Sequence, residues 1–219
     1  MSRITVSDLA GVVYSSGKVF DGLSTGRLDT ENFLRSGSVT GVRSRADLAL
    51  LEDLRDVSQF IIDHSDRPID VAFVKAVNAQ LTRTAALSPG EFRTQEQRIG
   101  VRTRYGRHEP EACTDESLQR LLDKALSSHD DPNERALEVF VQLAKAQPFE
   151  DGNKRTALFV PNGLLIGSGN GKLLTIPVDE DDPGLADTFN DLLARAYVMD
   201  EHEGVKELLR DRGLSDLRA

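Results

Sequence analysis

Mainly α, in one domain, is the fold class this sequence predicts, and three features carry the prediction. Apolar residues recur at helical spacing along most of the chain, cap-forming residues stand in front of those stripes, and period-two alternation is confined to one short stretch. The first stripe is Leu48, Leu51, Leu54, Val57 and Ile61, with Ser44 and Asp47 set three residues apart as in a capping box. Val71, Val74, Val77 and Leu81, with Phe73, make a second. Leu118, Leu121, Leu122 and Ala125 make a third, opened by Thr114 and the acidic pair Asp115–Glu116, whose charge suits a helix N-terminus. A fourth opens on Asp131 with Pro132 at the first helical position and runs through Ala136, Val139, Phe140 and Leu143. Thr156 to Ile166 is apolar on most sides, which predicts a buried central helix that Pro161 and Gly163 kink or shorten. Leu185, Phe189, Leu192 and Tyr197 mark a later helix, and Val205, Leu208 and Leu209 a short last one.

The alternation Ile99, Val101, Thr103, Tyr105, ending at Gly106, predicts a short hairpin projecting from the helices. Leu173, Leu174 and Ile176 before Pro177 suggest a second extended piece, after a glycine-dense connector at 167–171. Residues 1–42 carry many Ser, Thr and Gly and no clear stripe. They read as an N-terminal arm or a small regulatory appendage, before a main domain over 43–200 and a C-terminal helix and tail over 201–219.

Composition narrows the partners. With 27 Lys and Arg against 36 Asp and Glu, the formal charge of the 219-residue chain is −9, and an acidic surface repels a phosphate backbone, so nucleic acid is not an expected partner. The single Cys113 forms no internal disulfide, no apolar run reaches the ~18 residues of a membrane span, and no charged-then-apolar leader opens the chain. A cytoplasmic protein with no membrane contact is the expectation.

The densest chemistry lies in Gln147-Pro148-Phe149-Glu150-Asp151-Gly152-Asn153-Lys154-Arg155-Thr156, between two predicted helices. Free N–H groups and the positive end of the dipole make a helix start a ready anion site. Gly152 permits close backbone approach, Asn153 offers an amide, and Lys154 and Arg155 add positive charge. Glu150 and Asp151 are hard oxygen ligands able to share Mg²⁺ with a phosphate. An ordinary capped helix with a charged first turn has the same composition.

From Pro148 to Arg155 the stretch resembles the Fic/Doc (Fido) family pattern His-Pro-Phe-x-Asp/Glu-Gly-Asn-Gly/Lys-Arg. Gly90-Glu-Phe92-Arg93, the following hairpin and the helix order from about 45 to about 198 are similar to that family's core. The resemblance implies a Fic-fold helical bundle with the hairpin as a flap. It also implies transfer of AMP, or in the Doc branch a phosphoryl group, from ATP or another nucleotide to a protein hydroxyl. By position, Asp151 would hold Mg²⁺, Gly152 and Asn153 the anion hole, and Arg155 the outer phosphates, with Lys154 beside them. Ile99, Val101 and Thr103 would align a target segment as an added strand, although a plain surface hairpin has the same sequence.

Three positions depart from the pattern. The family's general base, a His, is Gln147, and a neutral amide orients a hydroxyl but accepts no proton at working pH. Of the four His, only His108 at the end of the hairpin is placed to substitute. Lys154 stands where AMP-transferring members carry Gly, and Leu158 where they carry a second Arg. A retained binding loop without its base also describes a pseudoenzyme that binds nucleotide or a protein partner. In the arm, Glu31-Asn32 matches the end of the family's inhibitory motif, although Arg27 replaces its Ser/Thr. Oligomeric state is not readable from these patterns.

Overall fold

The computed structural model describes residues 4–84, 88–179 and 181–217. Among them are nine α-helices, a 3₁₀ turn at Val6–Leu9 and two small antiparallel sheets. The helices are α1 (Ala10–Phe20), α2 (Arg27–Ser36), α3 (Arg45–Asp63), α4 (Val71–Asn78), α5 (Asp115–Leu126), α6 (Pro132–Ala146), α7 (Asn153–Ser168), α8 (Gly184–Met199) and α9 (Glu203–Arg212). The caps read from sequence are formed. Ser44 accepts from Asp47 N–H at 2.9 Å and Asp131 from Asn133 N–H at 2.9 Å behind Pro132, and Asp70, a cap not read from the sequence, accepts from Phe73 N–H at 2.7 Å. Thr114 and Ser117 satisfy each other's backbone reciprocally.

Helix α7 is the axis of the molecule. Its most extensive interface is with α6, and it also packs on α3, α4 and α1. It needs no polar face, because Ala157, Leu158, Phe159, Val160 and Leu165 are all wholly buried on its different sides. Pro161 does not end it. The next residue, Asn162, is fully buried and ties this part of the helix to the chain beyond it, donating to Leu158 O at 2.9 Å and Leu174 O at 2.8 Å. The helix ends at Ser168, with Gly169 at φ 67° as its left-handed cap.

The hairpin consists of β1 (Val101–Thr103) and β2 (Gly106–His108), paired with Val101 opposite His108. Ile99 lies just outside the ladder. The extended piece after α7 is β3 (Lys172–Leu174). Its partner is β4 (Leu214–Asp216) from the far end of the chain, a pairing with no sequence signal of its own.

Residues 4–42 pack into the main core. Leu9, Val12, Val13, Tyr14, Leu23 and Phe33 belong to the same core as α3 and α7. The arm is fastened by Asp47, whose carboxylate accepts from Thr25 N–H at 2.7 Å, Thr25 Oγ1 at 2.6 Å and Ser24 Oγ at 2.8 Å. Burial pushes the Asp47 carboxyl up, but the bonds from Thr25, Ser24 and Ser44 outweigh it and hold the group below its ordinary value. A depressed carboxyl stabilises the fold above its unfolded value near 3.8 and loses that contribution as pH falls through the folded value. Asp47→Ala is therefore expected to lower stability by about 2–4 kcal/mol at pH 7. Urea melts should show the gap to the parent chain narrowing below about pH 4.

Candidate functional site

The turn between α6 and α7 carries the motif. Gln147 ends α6 in the left-handed region at φ 45°, a strained conformation for a residue with a side chain. A buried arginine holds it there. Arg93 donates through Nε to Gln147 O at 3.0 Å, and through Nη2 to Pro110 O at 2.5 Å and Glu111 O at 2.9 Å. Its backbone N–H meets Pro148 O at 3.0 Å, and the Phe92 and Phe149 rings pack at a tilt of 54° with centroids 5.6 Å apart. Asn78, also buried, donates to Asp151 O at 3.2 Å and Thr156 Oγ1 at 3.0 Å, and accepts from Gly90 N–H at 2.8 Å. The loop is thus clamped from the 90s segment and from α4.

Within the loop, Gly152 takes φ 72° and caps α7, which a side chain would oppose. The first N–H groups of α7 have no intrahelical partner. Beside them lies a cavity of about 280 Å³ walled by Gln147, Glu150, Asp151, Gly152, Asn153, Lys154 and Arg155. Ile99, Gly100 and Val101 of the hairpin wall it from one side, and Phe20 and Asp21 at the end of α1 from the other. The structure therefore brings Gln147 and Glu150 to Arg155 of the motif together around one cavity, with Ile99 and Val101 of the hairpin. Thr103 lies in a neighbouring cavity, and its Oγ1 is engaged in the hairpin turn.

The individual side chains are more committed than their identities suggest. Asn153 spends its amide on one residue, accepting from Phe149 N–H at 2.9 Å and donating to Phe149 O at 2.8 Å, so its side chain shapes the loop. What it can still give an anion is its backbone N–H at the helix start. Arg155 is only 4% exposed: Nη1 donates to Thr84 Oγ1 at 2.5 Å, Nε faces Asp21 Oδ1 at 3.6 Å and Nη2 faces Asp151 Oδ1 at 3.8 Å. Lys154 lies over the Phe20 ring at 5.6 Å, and its burial pulls the ammonium below its ordinary value against the attraction of Asp21. Asp151 is half exposed, with Oδ1 accepting from Gly152 N–H at 2.6 Å. That leaves its other oxygen for a cation, and Mg²⁺ takes one or two carboxylates and keeps its waters.

A second cavity of about 340 Å³ lies between the hairpin and α8, and it shares Val101 and Lys154 with the first. The hairpin tip is pinned across it, Arg104 to Asp191 at 2.6 Å and Tyr105 Oη to Asp191 Oδ2 at 2.9 Å. A wider cleft of about 600 Å³ between α4 and α5 holds no motif residue.

Sequence reasoning missed Asp21, Asn78, Thr84 and the role of Arg93 as a clamp. The structure does not bring Glu31 to the motif. It pairs with Arg27 at 3.5 Å and lines a separate cavity with Arg35 and Asp8. The acid that the N-terminal segment delivers to the motif cavity is Asp21. None of the four His lines that cavity, and His108 is spent, with Nε2 bonded to Lys145 O at 2.7 Å and its ring stacked on Tyr197.

Helical packing around a central helix, a flap-like hairpin and a cavity at that helix's N-terminus together define the Fic fold. Residues 68–165 match the model of the Fic/DOC family. A Fic domain containing signaling protein from Bacteroides thetaiotaomicron is similar in structure, with a TM-score of 0.67 at 18% identity over 92% of this chain and 80% of that one. Fic-1 (residues 134–508) from C. elegans gives 0.65 at 19% identity over 91% of this chain, which spans 58% of that protein's length. A Fic family protein from Desulfovibrio desulfuricans gives 0.62 at 14% identity over 96% and 66%. No curated protein matches the sequence.

Asn78→Ala is expected to cost about 1–3 kcal/mol, since it leaves Asp151 O, the Thr156 hydroxyl and Gly90 N–H without their partner. Urea denaturation reads the loss.

Proposed function

We propose that this chain is a Fic-type protein whose 147–155 loop binds a nucleotide and transfers AMP or a phosphoryl group to a protein hydroxyl, weakly because Gln147 stands at the base. One observation carries the reading. The Gly152 cap directs the start of α7 at a cavity that Gln147, Lys154 and the hairpin enclose together. The family match over 68–165, which includes that loop, supports it.

In this reading the phosphates lie against the first-turn N–H groups of α7 and the Lys154 ammonium, and the target segment enters along Val101. Such catalysis consists mainly of positioning and charge stabilisation. Gln147 lines the cavity and can hold a hydroxyl by hydrogen bonding, but it takes no proton, a loss of about 10²–10⁴-fold in transfer. Asp151 would hold Mg²⁺, which when bound neutralises phosphate charge. A reducing compartment such as the cytoplasm suits the single Cys113. A binding-only pseudoenzyme is the second reading. The commitment of His108 to Lys145 O favours it, because no imidazole replaces the base.

With ATP and Mg²⁺ at millimolar concentration the thermal midpoint should rise, and no shift with any nucleotide would overturn the loop assignment. With ATP labelled at the α or γ position, Gln147→His should raise transfer to protein by about 10²-fold or more over the parent chain. α-label transfer marks an AMP-transferring scaffold and γ-label a phosphoryl-transferring one. Equal, substantial transfer by the parent chain would show that Gln147 is not disabling.

A further inference from the structure

The hairpin carries charge that backbone pairing with a target does not need. From Arg98 to Arg107 the chain has four arginines and no acid, in a protein whose formal charge is −9. Two of the four are matched within the molecule: Arg104 meets Asp191 at 2.6 Å and Arg107 meets Glu109 at 2.6 Å. Arg98 and Arg102 are exposed and form no ion pair among the described residues. Register then singles out Arg102, which lies directly opposite Arg107 in the ladder. Like charges directly opposite each other destabilise a strand pair. Glu109 relieves that on the Arg107 side only, so Arg102 stands beside a second cation with no carboxylate of its own.

Strand alternation fixes where a carboxylate would meet it. Val101 and Thr103 point to the opposite face from Arg102. Val101 lines the motif cavity, and His108, which is paired with Val101 and shares its face, stacks on Tyr197 of α8. That face is turned to the body of the protein, and the Arg102–Arg107 face to solvent. Neither acid of the cavity between the hairpin and α8 serves Arg102. Asp191 is engaged by Arg104 and Tyr105, and Asp187 forms no ion pair among the described residues. β1 has a strand on one side only, so its other edge is open to a docked segment. A residue of that segment set opposite Val101 turns its side chain towards the motif loop, and its neighbour, opposite Arg102, turns outward. Opposite residues on adjacent strands have Cβ atoms about 5 Å apart, within reach of an arginine–carboxylate pair.

We propose that the hairpin selects its target by charge: the docked segment carries an acidic residue immediately beside the hydroxyl that is modified, and Arg102 recognises it. This rests on the reading of the hairpin as the strand that aligns a protein target, and deepens it by naming the target's chemistry. Arg102 is here a specificity residue and takes no part in bond making.

The test uses ten-residue peptides with one central Ser, Thr or Tyr flanked on both sides by Asp, by Gln or by Lys. The full chain carrying Gln147→His, with ATP and Mg²⁺, gives the transfer readout, and fluorescence anisotropy of the labelled peptides on the parent chain gives binding. Asp-flanked peptides should show a KM about fivefold below their Gln-flanked counterparts, with Lys-flanked ones above both. The spread should shrink as added salt screens the pair. Arg102→Gln should erase the difference between the Asp and Gln peptides. The comparison among peptides and its salt dependence need no change at 102, so they stand even if Arg102→Gln folds poorly. Equal KM for the three flanks, or a preference for Lys, overturns the proposal alone, because transfer has occurred. An Asp preference that survives Arg102→Gln overturns it as well. Neither transfer to nor binding of any peptide overturns it together with the reading of the hairpin on which it rests.

Discussion

The arrangement of the site depends on one buried cation, Arg93, that has no ion-pair partner among the described residues. Arg93 is satisfied by carbonyl oxygens: Gln147 from the motif turn, Pro110 and Glu111 from the chain leaving the hairpin, and Gln97 from the chain entering it. A guanidinium offers a planar fork of donors, so its partners are fixed in direction as well as distance. One side chain thereby sets the hairpin's base against the loop it covers. It also offsets the strain of a left-handed Gln147, because the turned carbonyl gains a charged hydrogen bond.

Around that anchor the motif residues divide into those that shape the loop and those that face the cavity. Asn153 and Gly152 shape it, one by closing a ring of hydrogen bonds on Phe149 and the other by adopting a conformation others resist. Lys154 and the helix N-terminus face the cavity. Arg155 belongs partly to each group, since Thr84 and Asp53 hold it as firmly as a structural residue while its edge still meets the cavity. A motif match alone does not separate these roles, because both need the same residue types.

Much of this was legible in the sequence, and the remainder was not for identifiable reasons. The helices from α3 to α9 announce themselves because each packs one apolar stripe, or in α7 a whole apolar surface, and α3, α5 and α6 do so behind a recognisable cap. The helix α1 was hidden by its own packing. Gly11, Ser15, Ser16 and Gly17 interrupt its apolar stripe of Val12, Val13 and Phe20, and at Gly17 a close neighbour requires the small residue. A side chain at Gly17 would lie 2.9 Å from Leu23. With α1 unread, Asp21 had no address, and acidity on the arm was read at Glu31. The β3–β4 pair joins segments about forty residues apart, and no local pattern specifies such a partner. Asn78 and Thr84 lacked any signal beyond their identity, because their importance lies in contacts with residues far along the chain.

The departures from the Fic pattern at 147 and 158 differ in how readily they could be undone. Gln147 borders a cavity, so an imidazole introduced there would meet open space on one side. Leu158 is wholly enclosed among apolar neighbours at the centre of α7, where a guanidinium would be stranded without water or a counter-ion. Placing an arginine at that position would require the core to be rebuilt first. The two positions therefore differ in what they would accept, the first a single substitution into open space and the second only a side chain that suits the packing around it.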